Sequence, residues 1–474
     1  VLVISKCKNV TLDGIVVTAA TPELKDRVSY GGAGLPAAVD LHDVEGLVLN
    51  RVRVTNVGGM GLSAGGCNGL KATDCEFSFT GACALQLSAK GALVERCLIA
   101  DAGKVHRASS GTFVSGREVV LRGNEIRNIP YSGIIGFGNR NRFETNYIHH
   151  VMRVFHDGAA IYGLHVDGVM RGNVVRDVVA CGTGFGVHAY YADEGSRNTI
   201  VEGNYAEGMP VPIHNHMSAG IVVRDNTLVN RGGDLVISFE RSVESTFADN
   251  RLVCGGKLDT VWLDGIRDWH GNLVFSETAP PREWTPPRPP QPPREPLAVP
   301  RAETAPAIDG AFAEGEWSGD FHHIDRRGDG RQTGFSSALV RFAWDDANLY
   351  ASFLAANFAD GKMSFGSAWG KDDGVELDLG KGRAIRAFHS GATEALPAAL
   401  KPSVKIVALG KGKTGHHNPN FVRVELSVPW MALGLKPQAG LKIPFNARAY
   451  QSEFGQMKAW DVDSSGCELR LLGS

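Results

Sequence analysis

One pattern recurs along the first part of the chain: an apolar residue, two small or polar residues, an Asn, any residue, then an apolar one. It reads Leu121-Arg-Gly-Asn124-Glu-Ile126, Phe143-Glu-Thr-Asn146-Tyr-Ile148 and Met170-Arg-Gly-Asn173-Val-Val175. Further copies centre on Asn204, Asn226, Asn250 and Asn272, and the seven Asn positions are 22, 27, 31, 22, 24 and 22 residues apart. Weaker copies precede them, centred on Asp13, Asn50, Cys75 and Cys97. A fixed minimum period with variable excess is what a coil of three short strands needs, with the surplus leaving through loops. Alternation on both sides of the Asn is period two, hence strand. Strands this short cannot bury an apolar face alone, and stacking coil on coil joins their inward residues into one core. A leucine-rich repeat has a similar period but needs several Leu per repeat, which these coils lack. The expected fold is all-β: a right-handed parallel β-helix with three strands per coil. The Asn itself is expected to take the left-handed backbone of a sharp turn and to stack its carboxamide along the axis.

A second strand per coil lies about 12 residues before each Asn. Its members include Gly111–Val114, Gly133–Phe137, Ala159–Leu164, Pro212–His216, Leu235–Glu240 and Thr260–Leu263, with an insertion at Gly184–Tyr191. Residues 1–279 therefore form the helix. From Pro280 to Pro300, ten of 21 residues are Pro, too many for a packed element, so 280–300 reads as a stiff linker. Residues 301–474 carry no Asn ladder. Alternating runs at Ala338–Trp344, Leu349–Phe353, Gly374–Leu379, Val422–Val428 and Ile443–Tyr450 read as a β-sandwich.

Charge narrows the partners. With 49 basic and 51 acidic residues there is no electrostatic reason to expect nucleic acid, and no apolar run long enough to insert in a membrane. The eight Cys show no paired zinc spacing and read as small buried hydrophobes. The chain begins at Val1 within the repeat, so a preceding segment is expected.

Polar chemistry is concentrated. Seven of the fifteen His (His149, His150, His156, His165, His188, His214 and His216) fall within 68 residues, among Asp157, Asp167, Asp193, Glu194 and the aromatics Tyr162, Tyr190 and Tyr191. Equivalent positions on stacked coils form a row, so Tyr162, His188 or Tyr191, His214 and Glu240 should make an elongated polar and aromatic strip. Such a strip suits a sugar chain, whose ring faces stack on aromatics and whose hydroxyls need donors and acceptors. No His pair sits at a spacing that needs a metal, so no metal ligand and no cofactor is assigned. Two motifs, His156-Asp-Gly-Ala-Ala-Ile-Tyr162 and Tyr191-Ala-Asp-Glu-Gly-Ser196, each place a carboxylate beside a glycine turn in successive coils. Glycosidic hydrolysis needs two carboxyl groups, although Asp-Gly is also ordinary turn chemistry.

These motifs, with Asn146-Tyr-Ile-His-His-Val and Ile213-His-Asn-His216, resemble a bacterial right-handed β-helix family that includes fucosidase- and xylanase-type glycoside hydrolases. The likeness covers about residues 100–275, and Ala159 and Ala192 depart from its usual Gly and Leu. It implies Asp157 and Asp193 as the acidic pair, with Glu194 competing for the second role, and a secreted or periplasmic protein. Residues 301–474 resemble the family 9 carbohydrate-binding module through Ile308-Asp-Gly, Glu316-Trp317, Ala343-Trp-Asp-Asp-Ala-Asn-Leu-Tyr350, Asp373-Gly-Val-Glu376, Val428-Pro-Trp430 and Phe445-Asn446, with Trp369 and Trp460 as candidate sugar platforms. The expected activity is hydrolysis of a polysaccharide or oligosaccharide, with Tyr162, His188, Tyr191, His214, His216 and Glu240 holding the sugar. Two alternatives stand beside it. One is a polysaccharide lyase, for which no Lys between Lys104 and Lys257 is available as base but Arg140, Arg142 and Arg153 are present. The other is a non-catalytic sugar-binding or adhesive protein.

Overall fold

A computed structural model describes residues 1–21, 29–178, 186–261, 266–276, 280–285, 294–311, 315–324, 326–327, 338–357, 364–409, 420–452, 456–459 and 467–473. Two compact units divide at Pro287 and Arg288. The chain is all-β, and the first unit is a right-handed solenoid of about ten turns. Among the described residues, three parallel sheets run its length, with 11, 11 and 12 strands. The first sheet extends from Leu2–Ser5 to Leu258–Val261, the second from Thr11–Asp13 to Ile266–His270, and the third from Val16–Thr18 to Leu273–Phe275. The third sheet is closed by Arg282–Glu283, antiparallel to the last coil.

The Asn ladder sits at the corner between the second and third sheets. From Asn146 onward, each Asn Oδ1 accepts from both the backbone N–H and the Nδ2 of the Asn one coil earlier: Asn124 to Asn146 at 3.1 and 2.9 Å, Asn146 to Asn173 at 3.0 Å for both, and so on to Asn272. All seven side chains are buried, so every amide is satisfied by its neighbour rather than by water. The left-handed residue is not the Asn but the one before it: Gly123, Thr145, Gly172, Gly203, Asp225, Asp249 and Gly271 all have φ between 51° and 66°. Glycine has no Cβ to oppose that backbone and Asp tolerates it, which explains the Gly-Asn and Asp-Asn pairs of the repeat. The ladder's earlier rungs are Cys97, whose N–H donates to Asn124 Oδ1, and Cys75, whose N–H reaches Cys97 Sγ. Asp13 and Asn50 are not rungs. They pair with each other and with Thr73, two residues short of Cys75.

Inside the coils Leu121, Phe143, Met170, Val201, Val223 and Phe247 stack from the second sheet, and Ile126, Ile148, Val175, Ala206, Leu228 and Leu252 from the third. On the outside of the second sheet, charges alternate coil by coil: Glu95, Arg122, Glu144, Arg171, Glu202 and Arg224 are in register. Arg122 meets Glu95 at 2.6 Å, Arg171 meets Glu202 at 2.5 Å, and Arg224 meets Glu202 at 2.6 Å. Slipping any coil by one residue would break this row and expose the core face, so the ladder, the core and the charges specify one register.

The second unit has a separate core. A five-stranded and a six-stranded sheet, together with a three-stranded sheet, supply its buried residues, the arrangement of a β-sandwich. The expected strand Ile443–Tyr450 is two strands, Lys442–Pro444 and Asn446–Gln451, which belong to different sheets and part at Phe445. The Pro-rich stretch is also shorter than its composition implies. Arg282–Glu283 pairs with the first unit, and Leu297–Val299 lies parallel to Glu468–Leu471 in the second. Pro280, Pro281, Pro296 and Pro300 flank these edge strands, where a missing N–H is tolerated. Residues 286–293, Trp460, residues 262–263 of the last expected strand, Gly184, Phe185 and Cys181 lie outside the described residues. The other seven Cys are unpaired. No helix among the described residues is long and apolar enough to cross a membrane.

Candidate functional site

The site grows from three consecutive coils of the first sheet. Strands Gly158–Gly163, Val187–Ala192 and Ile213–Asn215 pair so that Tyr162 faces Tyr191, Tyr191 faces His214, and His214 faces Ser238. Earlier members of the same row are Phe113 and Ile135. The expected strip therefore exists with two adjustments. His188 pairs with Ala159 instead, and Ser238 takes the place given to Glu240, which lies two residues beyond. His188 still reaches the row through its ring, stacked on His214 with centroids 4.5 Å apart. Tyr162 and Tyr191 lie 4.9 Å apart and Tyr191 and His214 4.4 Å.

Tyr162, His188, Tyr191 and His214 are each less than 10% exposed, so they make a packed floor beneath the partly exposed Asp157, Asp193, Glu194, His216 and Glu240. Within that floor His188 Nδ1 lies 2.9 Å from Val211 O, and His214 Nδ1 lies 2.8 Å from Ser238 Oγ. Burial, with the neighbouring His188 and His216, pushes His214 down to about 3, so it stays neutral and offers hydrogen bonds rather than a proton store.

One step past the paired Gly163, Ala192 and Asn215, the chain sets Asp193 beside His216 of the next coil. Asp193 Oδ2 accepts from the Tyr162 hydroxyl at 2.8 Å, and Oδ1 lies 3.1 Å from His216 Nδ1. Burial alone would raise this carboxyl, but His216, the backbone at Glu194 and Tyr162 outweigh it and hold it below the usual value. His216 responds in kind. Burial opposes its charge, yet the Asp193 hydrogen bond and the charges of Asp193, Glu240 and Glu194 raise it.

Asp157 stands at the other end of the same strand, just before Gly158, in left-handed backbone at φ 59°. Its N–H donates to Gly186 O at 2.8 Å and its carbonyl accepts from the Tyr131 hydroxyl at 2.7 Å. Burial first, then the Asp193 charge, raise its carboxyl above the ordinary range, with Glu194 adding in the same direction. The two carboxylates of the motifs are thus driven apart in acidity.

Asp193, Glu194 and His216 also bring one donor atom each within 4.8 Å of one another, the grouping among the described residues that could hold a cation. Glu194 Oε1 is 4.0 Å from His216 Nδ1. Coil stacking makes this grouping, which spacing along the chain does not show.

The sequence reading missed an aromatic wall. Tyr30, on a loop that folds over the first sheet, lies 6.3 Å from Phe113, 6.2 Å from Tyr131 and 6.2 Å from Phe137. Tyr131 continues to Phe155 at 5.9 Å and Tyr162 at 6.4 Å. The loop lies down through Gly31 and Gly32, at φ 65° and 71°, where a Cβ would meet Phe113 at 2.9 Å and Ser109 Oγ at 2.2 Å. Phe113 and Phe137 sit at alternate positions of expected strands and were legible as outward aromatics. Tyr30, far away in sequence, had no local signal. In the second unit, Trp369 is partly buried, edge-on to Phe388 at 6.4 Å and beneath the Arg386 guanidinium at 5.4 Å.

A family model described as a right handed beta helix region matches residues 37–194. No curated protein matches the chain significantly. Among solved structures, a family 9 carbohydrate-binding module from Caldicellulosiruptor kristjanssonii in complex with glucose is 17% identical, covering 37% of this chain and 96% of its own, with TM-score 0.28. PfbA, a surface adhesin of Streptococcus pneumoniae, is 9% identical over 58% of this chain and 79% of its own, with TM-score 0.36. An alginate lyase from Paenibacillus sp. str. FPU-7 is 12% identical over 55% and 99%, with TM-score 0.27.

Proposed function

We propose that the chain is a carbohydrate-active enzyme that hydrolyses a glycosidic bond, with Asp157 as general acid and Asp193 as base or nucleophile. The observation that carries this reading is the opposite tuning of the two carboxyls. Asp157 is raised by burial and by its neighbour's charge, whereas Asp193 is kept ionised by His216 and Tyr162. A glycosidase needs one carboxyl that keeps a proton and one that does not. Glu194, beside Asp193 and His216, is the reserve for the second role. The floor of Tyr162, His188, Tyr191 and His214 would fix the site's shape, and the exposed edges of His216 and Glu240, with the aromatic wall, would hold sugar rings. Action outside the cytoplasm belongs to the same reading and rests on the family resemblance. Incubating the full chain with a panel of polysaccharides tests it: new reducing ends are expected, without unsaturated product.

Lyase chemistry is the second reading, favoured by the Asp193, Glu194 and His216 grouping, since a cation there could neutralise a uronate carboxylate. The phenols of Tyr162 and Tyr191, however, are pushed far above their ordinary value by burial and by Asp193, which makes them poor bases. Ultraviolet absorbance of an unsaturated product, abolished by a chelator, would select elimination over hydrolysis.

A further inference from the structure

A second polar feature lies on the same coils as Asp157. A cavity of about 200 Å³ is lined by Lys104, Arg107 and Arg153, together with Asn128, Pro130 and Val154. Its walls are loops pinned to their neighbours by backbone hydrogen bonds: Lys104 N to Thr80 O at 3.0 Å, His106 N to Gly81 O at 2.7 Å, and Val154 N to Pro130 O at 2.9 Å. Charge is unbalanced there. Lys104 and Arg127 share the Asp101 carboxylate, at 3.0 and 3.5 Å. The guanidiniums of Arg107 and Arg153 have no ion-pair or hydrogen-bond partner among the described residues. Elsewhere on the solenoid, guanidiniums such as Arg53, Arg96, Arg122, Arg142, Arg171 and Arg224 are each committed to a carboxylate.

We propose that this cavity is an anion subsite, and that the enzyme's substrate is a polysaccharide bearing carboxylate or sulfate groups, one of which the two free guanidiniums bind. The inference rests on the reading of Asp157 and Asp193 as the reacting centre, and it names the substrate class for that centre. Three relationships support it. Guanidinium forks match the planar or tetrahedral oxygens of carboxylate and sulfate, and such charge-assisted bonds are the strong ones. The cavity and Asp157 are built on the same two segments: Pro130 lines the cavity and the adjacent Tyr131 holds the Asp157 carbonyl at 2.7 Å, while Arg153 precedes Asp157 by four residues. Four residues of extended chain span at most about 14 Å, within reach of a short oligosaccharide. Finally, the centre itself carries Asp193, Glu194 and Glu240, so an anionic substituent is repelled there and drawn to the cavity, which fixes the register in which the chain binds.

The test measures binding of three probes to the full chain by calorimetry: an oligogalacturonide, a sulfated galacto-oligosaccharide and a neutral galacto-oligosaccharide. At least one charged probe should bind about tenfold or more tightly than the neutral one, the size of one charge-assisted contact. Arg107→Gln/Arg153→Gln should abolish that preference while leaving affinity for the neutral probe and the melting temperature unchanged. Preference for the oligogalacturonide alone assigns a uronate, and for the sulfated probe alone a sulfate ester. Equal binding of all three, or an undiminished preference in the double variant, overturns the subsite. Turnover of Asp157→Asn is measured in parallel. Loss of turnover without any charged preference sinks the subsite and leaves the hydrolytic centre standing. Full turnover with the charged preference intact sinks the centre and leaves the subsite.

Discussion

His216 Nδ1 lies 3.1 Å from Asp193 Oδ1, although the two residues belong to different coils and are joined only by the stacking of one strand end on the next. The pair is partly buried, with the two side chains 19% and 20% exposed, so it is shielded from salt and its two titrations oppose each other.

Asp193 is lowered from 3.8, so it stabilises the fold above that value and loses the contribution as pH falls through its folded pKa. His216 is raised from 6.5, so its contribution is complete below that value and disappears as pH rises through its folded pKa. The melting-temperature gap between the native chain and His216→Ala should therefore be widest between about pH 4 and 6.5 and narrow on either side. A gap that does not change with pH would show that His216 acts by packing alone.

The same substitution should move the pH–rate profile. Without His216 the Asp193 carboxyl loses its largest stabiliser against burial, so the acid limb shifts to higher pH. The basic limb, assigned to the proton on Asp157, should rise too, because the His216 charge also lowers that carboxyl. Steady-state rates across pH distinguish the two limbs.

Asn173→Leu should destabilise the solenoid by about 3 kcal/mol, because it strands the Asn146 N–H and one of its two Nδ2 hydrogens in a dry corner, the other staying on Leu121 O, and each unsatisfied donor costs about 1–3 kcal/mol. Thermal melting monitored by circular dichroism reads the loss.

Arg171→Ala removes an exposed guanidinium from the neighbouring charge row. Exposed ion pairs contribute about 0–1 kcal/mol, so the melting point should fall far less than for Asn173→Leu, and part of the fall should vanish in high salt. Equal losses in the two variants would mean that the charge row, not the amide ladder, holds the coils in register.

Residues 288–474 should fold alone, since Leu297, Trp344, Leu377, Val424 and Leu469 belong to a core that includes no solenoid residue. A cooperative melt of the isolated fragment is expected, and a non-cooperative one would contradict the independence of that core.

Much of the fold was legible because its stabilising element is periodic. The Asn ladder announces itself by spacing, and the apolar residues on either side alternate as strands do. Local backbone was less legible: the turn's left-handed residue is Gly123 or Asp225, not the Asn, because the Asn must keep its side chain inward to reach the next rung. The site was legible as composition but not as geometry. Asp157 and Asp193 stand out beside glycine turns, yet the His216 contact joins residues 23 apart in sequence, through the pairing of Ala192 with Asn215 on successive coils. Tyr30 depends on a loop that crosses coils, and nothing in its immediate sequence reports where that loop lands.

The most direct test of the account is the turnover of Asp157→Asn on whichever polysaccharide the native chain cleaves. Asn keeps the shape of the side chain and tolerates the left-handed backbone at this position, but it cannot hold a transferable proton. The account predicts that release of reducing ends falls at least about a hundredfold, the lower end of what general acid catalysis supplies, with sugar affinity and melting temperature nearly unchanged. Turnover within about twofold of the native rate would contradict it, and would reduce Asp157 to the turn residue that its Asp-Gly context also allows.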